Sequence, residues 1–162
     1  LVTDQVQALT SVQIQVVTTA GLAAMTTEQV AAIETQDIAA LRTTQVAALT
    51  TGSVAALTTE QIQAVTTAAV AILNTSQVAA LTTDQVAALT SDQVTYLTVK
   101  QVAALSTTQL AAVETQDFAA LKTTQIAALT TAQVAQGLTT DQVAALTSDH
   151  SSQGTKRLLC WQ

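Results

Sequence analysis

The chain repeats itself every eight residues, and this period limits the available folds more than any other feature. "LTTDQVAALTSDQV" (Leu81–Val94) states the unit and at once begins it again. From Leu1 the octads run unbroken to Gln136. Gly137 intrudes as one extra residue, the register resumes at Leu138, and it decays through "LTSDHSSQ" (146–153). Eighteen octads follow the consensus L-T-T-x-Q-V-A-A. Position 1 is always Leu, Val, Ile or Met, and position 6 always Val, Ile, Leu or Phe. Position 3 is Thr or Ser except at Val99, and position 5 is mostly Gln.

Neither regular structure absorbs this period over a long run. An octad of continuous α-helix leaves its apolar positions about 80° out of register with the octad before, against about 20° for a heptad. A long coiled coil is therefore excluded. In a strand, positions 1 and 6 have opposite parity and would face opposite sides, and Ala and Gln are poor strand residues. A β-solenoid with octapeptide coils remains the alternative.

One short helix per octad accounts for more of the pattern. Thr at position 2 and Gln at position 5 have the spacing of a capping box, and the apolar positions 1 and 6 have the spacing of a hydrophobic staple. In "LTTDQVAAL", Thr82 caps, Gln85 closes the box and Leu81 staples to Val86. All eleven acids fall at position 2, 4 or 5 of an octad, seven of them (Asp4, Glu28, Glu60, Asp84, Asp92, Asp141, Asp149) at position 4. Position 4 lies in the first helical turn, where negative charge complements the helix dipole. Where Glu34, Arg42, Glu114 or Lys122 occupies position 2, the cap is expected to shift to the following Thr.

A helix this short is not stable alone, so octads must stack and share interfaces. The expectation is an all-α solenoid or superhelix of very short helices. Leu and Val fill its axis, Ala lies at the contacts, and Thr and Gln face outward. Residues 1–149 form this solenoid, with its register break at Gly137, and 150–162 a C-terminal tail. Gly137 is expected in the left-handed conformation that ends a helix. In the tail, Leu158, Leu159 and Trp161 could cover the open end of the core; a non-native tail is the other reading. Glu34 with Arg42, and Glu114 with Lys122, are equivalent positions one octad apart, either inter-repeat ion pairs or separate solvated charges.

A second period overlies the first. "IETQDIAALRTTQVAALT" (Ile33–Thr50) returns as "VETQDFAALKTTQIAALT" (Val113–Thr130), eighty residues or ten octads later. This reads as block duplication within an array, and the opening "LVTDQVQAL", already inside the repeat, reads as a piece of something longer.

Composition narrows the function. Apolar residues make up 49% of the 162, while charged residues are 10% and aromatics 2%. Disorder accompanies low hydropathy and high net charge, so this chain should pack. Its net charge of −6, with no basic stripe, argues against nucleic acid. Runs such as "AAVAIL" (Ala68–Leu73) are far too short for a membrane span. No zinc spacing, P-loop or dinucleotide fingerprint occurs, and no catalytic, cofactor-binding or metal-binding residue is assigned. His150 beside Asp149, with Ser151 and Ser152 following, does not make a triad, since adjacent residues rarely form one. Cys160 is alone, so it forms no internal disulfide. Asp84 and Asp92, one octad apart, would make at most a weak calcium site.

Words such as "LTTDQVAAL" and "LTTEQIQAV" resemble the L-T-x-x-Q-[VI]-x-A-L octapeptide arrays of very large bacterial secreted or surface proteins, often labelled adhesin-like. The resemblance covers residues 1 to about 149. It implies a non-enzymatic spacer or scaffold at the cell surface or outside the cell. Exposed solenoid ends would let the array associate end to end. The same words resemble the opening of the transcription activator-like effector repeat, but the second helix and base-reading loop are missing, so DNA binding is not implied. The alternative role is a binding module whose regular Thr-rich face recognises a protein, a glycan or ice.

Overall fold

Every octad builds one helix. The computed structural model describes residues 2–149, the last three without their side chains. It is an all-α solenoid. The helices are α1 (Thr3–Gln7), α2 (Ser11–Val16), α3 (Thr19–Ala23), α4 (Thr27–Ala31), α5 (Thr35–Ala40) and α6 (Thr43–Ala47). Next come α7 (Thr51–Ala55), α8 (Thr59–Ala64), α9 (Thr67–Ile72), α10 (Thr75–Ala79), α11 (Thr83–Ala87) and α12 (Ser91–Tyr96). The last six are α13 (Val99–Ala104), α14 (Thr107–Ala112), α15 (Thr115–Ala119), α16 (Thr123–Ile126), α17 (Thr131–Gln136) and α18 (Thr140–Asp149).

The box sits where the spacing puts it. Gln85 Oε1 accepts from the Thr82 N–H at 2.8 Å, and Thr82 Oγ1 accepts from the Gln85 N–H at 3.2 Å. Thr10, Thr26, Thr58, Thr90, Thr98 and Thr130 do the same, as do Asn74 and Ser106. The staple partners Leu81 and Val86 are both buried. Where position 2 is charged the cap does not shift to Thr, contrary to expectation. Glu34, Arg42, Glu114 and Lys122 remain the N-caps, without a side-chain cap bond. Half of the box is enough in the two basic cases, because Gln45 and Gln125 still accept from the backbone N–H of Arg42 and Lys122 at 2.9 and 2.7 Å.

Successive helices are joined at two extended residues. Leu41 (φ −60°, ψ 136°) and Arg42 (φ −69°, ψ 151°) make such a corner. Any L-residue adopts these angles, so the seventeen junctions between helices are made without proline and almost without glycine.

The superhelix has between three and four octads per turn. Helix α9 packs on α6 and α12, α11 on α14, and α10 on α13, each pair three octads apart. Position 6 forms the axis, buried from Val6 through Ile126, with the buried Leu, Ile, Val and Met of position 1 around it. A cavity of about 20 Å³ in this core is lined by Leu, Val and Ile. Ala at positions 7 and 8 is largely half-buried or exposed, and Thr at positions 2 and 3 faces out. Gln at position 5 does not face out. Gln45, Gln61, Gln77, Gln85, Gln93, Gln101, Gln109, Gln125, Gln133 and Gln142 are all buried. The expectation failed because the octad alone does not reveal what lies on the neighbouring turn.

Gly137 is also not left-handed. Its φ of −104° and ψ of −13° are right-handed, and its requirement is space. A Cβ there would lie 2.7 Å from the Gln133 carbonyl oxygen and 3.2 Å from the Thr107 Cα of the turn below. Gly137→Ala should therefore cost about 1–3 kcal/mol, the range for overpacking a tight site, read as a lower midpoint in urea.

Candidate functional site

The most ordered chemistry in this chain is the row of buried amides between turns. Gln85 uses its Oε1 to close its own box and turns its Nε2 to the turn before. There Nε2 donates to the carbonyl oxygens of Val54 (2.9 Å), Ala55 (3.2 Å) and Leu57 (2.6 Å). These are carbonyls at the C-terminal end of α7, which a helix cannot satisfy itself. Gln93 reaches Ile62, Gln63 and Val65 likewise, and Gln109 reaches Val78, Ala79 and Leu81. Acceptors lie 31, 30 and 28 residues back each time, at octad positions 6, 7 and 1. After the inserted Gly137, Gln142 still reaches positions 6 and 1, Leu110 and Val113, now 32 and 29 residues back. Octad position selects the partner, and residue count does not.

Five octads lack this Gln, having Gly21, Asp37, Ser53, Ala69 and Asp117 at position 5. The two Asp residues are buried, and each accepts a hydrogen bond from a Ser twenty-six residues back. Ser11 Oγ donates to Asp37 Oδ1 at 2.7 Å, and Ser91 Oγ donates to Asp117 Oδ1. Asp37 Oδ2 is buried without a partner.

The other charges stand apart from one another. Among the described residues no ion pair joins Glu34 to Arg42 or Glu114 to Lys122. Instead Arg42 donates to the Gln15 carbonyl, Lys122 lies 5.4 Å from the centre of the Tyr96 ring, and both Glu residues accept from Gln36 and Gln116 of their own octads. Asp84 and Asp92 are exposed, and among the described residues no three His, Cys, Asp or Glu side chains gather. His150, Ser151, Ser152, Cys160, Leu158, Leu159 and Trp161 lie outside the described residues. Among the described residues no helix is long and apolar enough to cross a membrane.

A superhelix of one-turn helices, stitched by side-chain amides and presenting a largely uniform outer surface, is the architecture of a structural repeat protein. The chain belongs to the ALTTAQ repeat family, which matches residues 30–67, 62–91 and 110–148, together more than half of its length. No curated protein and no solved structure matches it.

The first-turn acids carry a measurable signature. The carboxyls of Glu28 and Glu60 are held below their usual 4.5, first by their own backbone N–H groups and then by the hydroxyls of Thr26 and Thr27, and of Thr58 and Thr59. A carboxyl whose pKa is lowered on folding adds stability above the unfolded value and loses it as pH falls through the folded value. Melting temperature should therefore drop as pH falls below about 4.5, and the Glu28→Gln, Glu60→Gln double variant should show a shallower drop in a pH-resolved melting series.

Within the ladder, position 5 should outweigh position 2. Thr82→Ala removes one cap, worth about 1 kcal/mol. Gln85→Ala removes the box and leaves the carbonyls of Ala55 and Leu57 without a donor, about 2–4 kcal/mol in all. Urea titration of the two variants checks the order; equal losses would show that the bonds between turns contribute nothing.

Proposed function

We propose that this chain is a non-enzymatic structural module, a spacer or scaffold belonging to a large bacterial surface or secreted protein. The observation that carries the reading is the sameness of the interface from turn to turn. Gln61, Gln85, Gln93 and Gln109 each bond the turn before in one pattern. A chain built this way can be lengthened without altering any octad already present, which suits the holding of other parts at a set distance.

Its ends support the same reading. Gln5 and Gln13, in the first two helices, are exposed. Val134 and Val143, in the last two described helices, are 39% and 45% exposed where their equivalents are buried. The two ends are complementary halves of the interface inside, so further octads or a second copy would cover them. A Thr-rich binding face is the lesser reading, because the Thr hydroxyls at position 2 are already engaged as caps.

Duplicating residues 41–120, ten octads, in register should lengthen the particle in proportion in small-angle scattering. A maximum dimension that stays constant would sink the spacer reading. Sedimentation at rising concentration should show end-to-end association, weakened by Val143→Lys.

A further inference from the structure

The two Asp octads depart from the array in a coordinated way. Among the eighteen octads, Asp occurs at position 5 only at Asp37 and Asp117, and Ser occurs at position 3 only at Ser11 and Ser91. Each Ser is the hydrogen-bond donor to its Asp across the gap between turns. The same octads carry Glu34 and Glu114 at position 2 and Gln36 and Gln116 at position 4. Donor, acceptor and neighbours therefore recur together, eighty residues apart.

Substituting Asp for Gln reverses the polarity of the contact. Elsewhere Nε2 donates to carbonyls at the end of a helix on the preceding turn. At Asp117 the corresponding carbonyls are those of Val86, Ala87 and Leu89, and at Asp37 those of Val6, Gln7 and Leu9. Only Val86 and Val6 accept a backbone hydrogen bond, from Leu89 and Leu9; no described donor reaches Ala87, Leu89, Gln7 or Leu9. Acceptors thus meet a buried carboxylate at the negative end of a helix dipole. Ser53 and Ala69 also omit the Gln amide, but they bring no charge. The bases of the following octads do not fill the need, since Arg42 turns to the Gln15 carbonyl and Lys122 to the Tyr96 ring.

Space exists for the missing positive charge. Asp is one methylene shorter than Gln, and around Asp117 an open cavity of about 240 Å³ is lined by Ala87, Leu89, Ser91, Glu114, Gln116 and Asp117 among others. At the equivalent place Asp37 is fully buried and its Oδ2 has no partner. At Asp117 two carboxylates, backbone carbonyls and the Ser91 hydroxyl offer oxygen donors with room for water, which suits a hard divalent ion of flexible geometry.

We propose that the octads of Asp37 and Asp117 are calcium sites, the cation standing where the Gln Nε2 group stands in other turns. Each site then ties two turns together through oxygen ligands: the Asp carboxylate and Glu from one, the helix-end carbonyls from the other.

Calorimetric titration of calcium chloride into the chelator-treated protein, with thermal melting followed by circular dichroism, tests this. Two calcium ions should bind per chain, and calcium at about a hundred times its dissociation constant should raise the melting temperature by about 10–20 °C. Asp37→Gln and Asp117→Gln should each remove one bound ion. These variants should fold, because Gln is the usual residue at position 5. The double variant should bind none and should melt above the calcium-free parent, its carbonyls having regained their donors. No heat and no melting shift in the parent at 10-fold molar excess and above would overturn the proposal. So would an equal shift in the double variant, or two ions retained by either single variant.

Discussion

A helix of five residues has no interior. The first four N–H groups and last four carbonyls of any helix lack partners within it, so in this chain almost the whole backbone stands unsatisfied. Neither length nor propensity relieves that, and the remedy has to come from side chains at fixed places in the octad. The position 5 amide supplies most of it. Its oxygen meets an N–H at the start of its own helix, and its nitrogen meets the carbonyls at the end of another. Gln is the residue for this work because one planar group carries both an acceptor and two donors on a stem long enough to cross between turns.

That arrangement gives the array a direction. Amides look back to the turn before, while the axial Val, Ile and Leu side chains are covered by the turn after. Gln5 in the first described helix and Val143 in the last are exposed, whereas their equivalents between Gln45 and Ile126 are buried wherever the octad keeps Gln at position 5 and an apolar residue at position 6. Stability is then a sum over neighbouring turns, and it depends on the amide ladder as well as on apolar burial. Asp37 and Asp117 mark the two turns where this polarity is inverted.

Much of this was legible in the sequence. Thr82, Gln85, Leu81 and Val86 each had a role assignable from spacing alone; the structure closes the Thr82–Gln85 box and buries Leu81 and Val86, and the helix in each octad and the all-α solenoid follow. What was not legible is anything that depends on the neighbouring turn. The box fully accounted for Gln85 Oε1 and left no reason to ask where Nε2 went; its acceptors are backbone atoms about thirty residues away, which leave no mark in the sequence. The same gap explains Arg42, which finds a carbonyl of α2's octad and not the neighbouring Glu34, and part of the need for Gly137, whose Cβ would meet the Thr107 Cα as well as the Gln133 carbonyl. The pairing of Ser11 with Asp37 was written twice in the sequence, at the eighty-residue offset, but only as a coincidence of two unusual residues until their contact was known.

The single residue inserted at Gly137 shifts every later spacing by one, yet Gln142 finds the same two octad positions as its predecessors. An array addressed by motif in this way forgives errors of copying. Slippage that adds or drops whole octads leaves each Gln with equivalent carbonyls to bond, so copy number can drift without loss of fold. The Ser–Asp pairs are different: removing one octad between Ser11 and Asp37 would separate them. They are inherited intact only when the block that contains both is copied whole, as the ten-octad duplication has done.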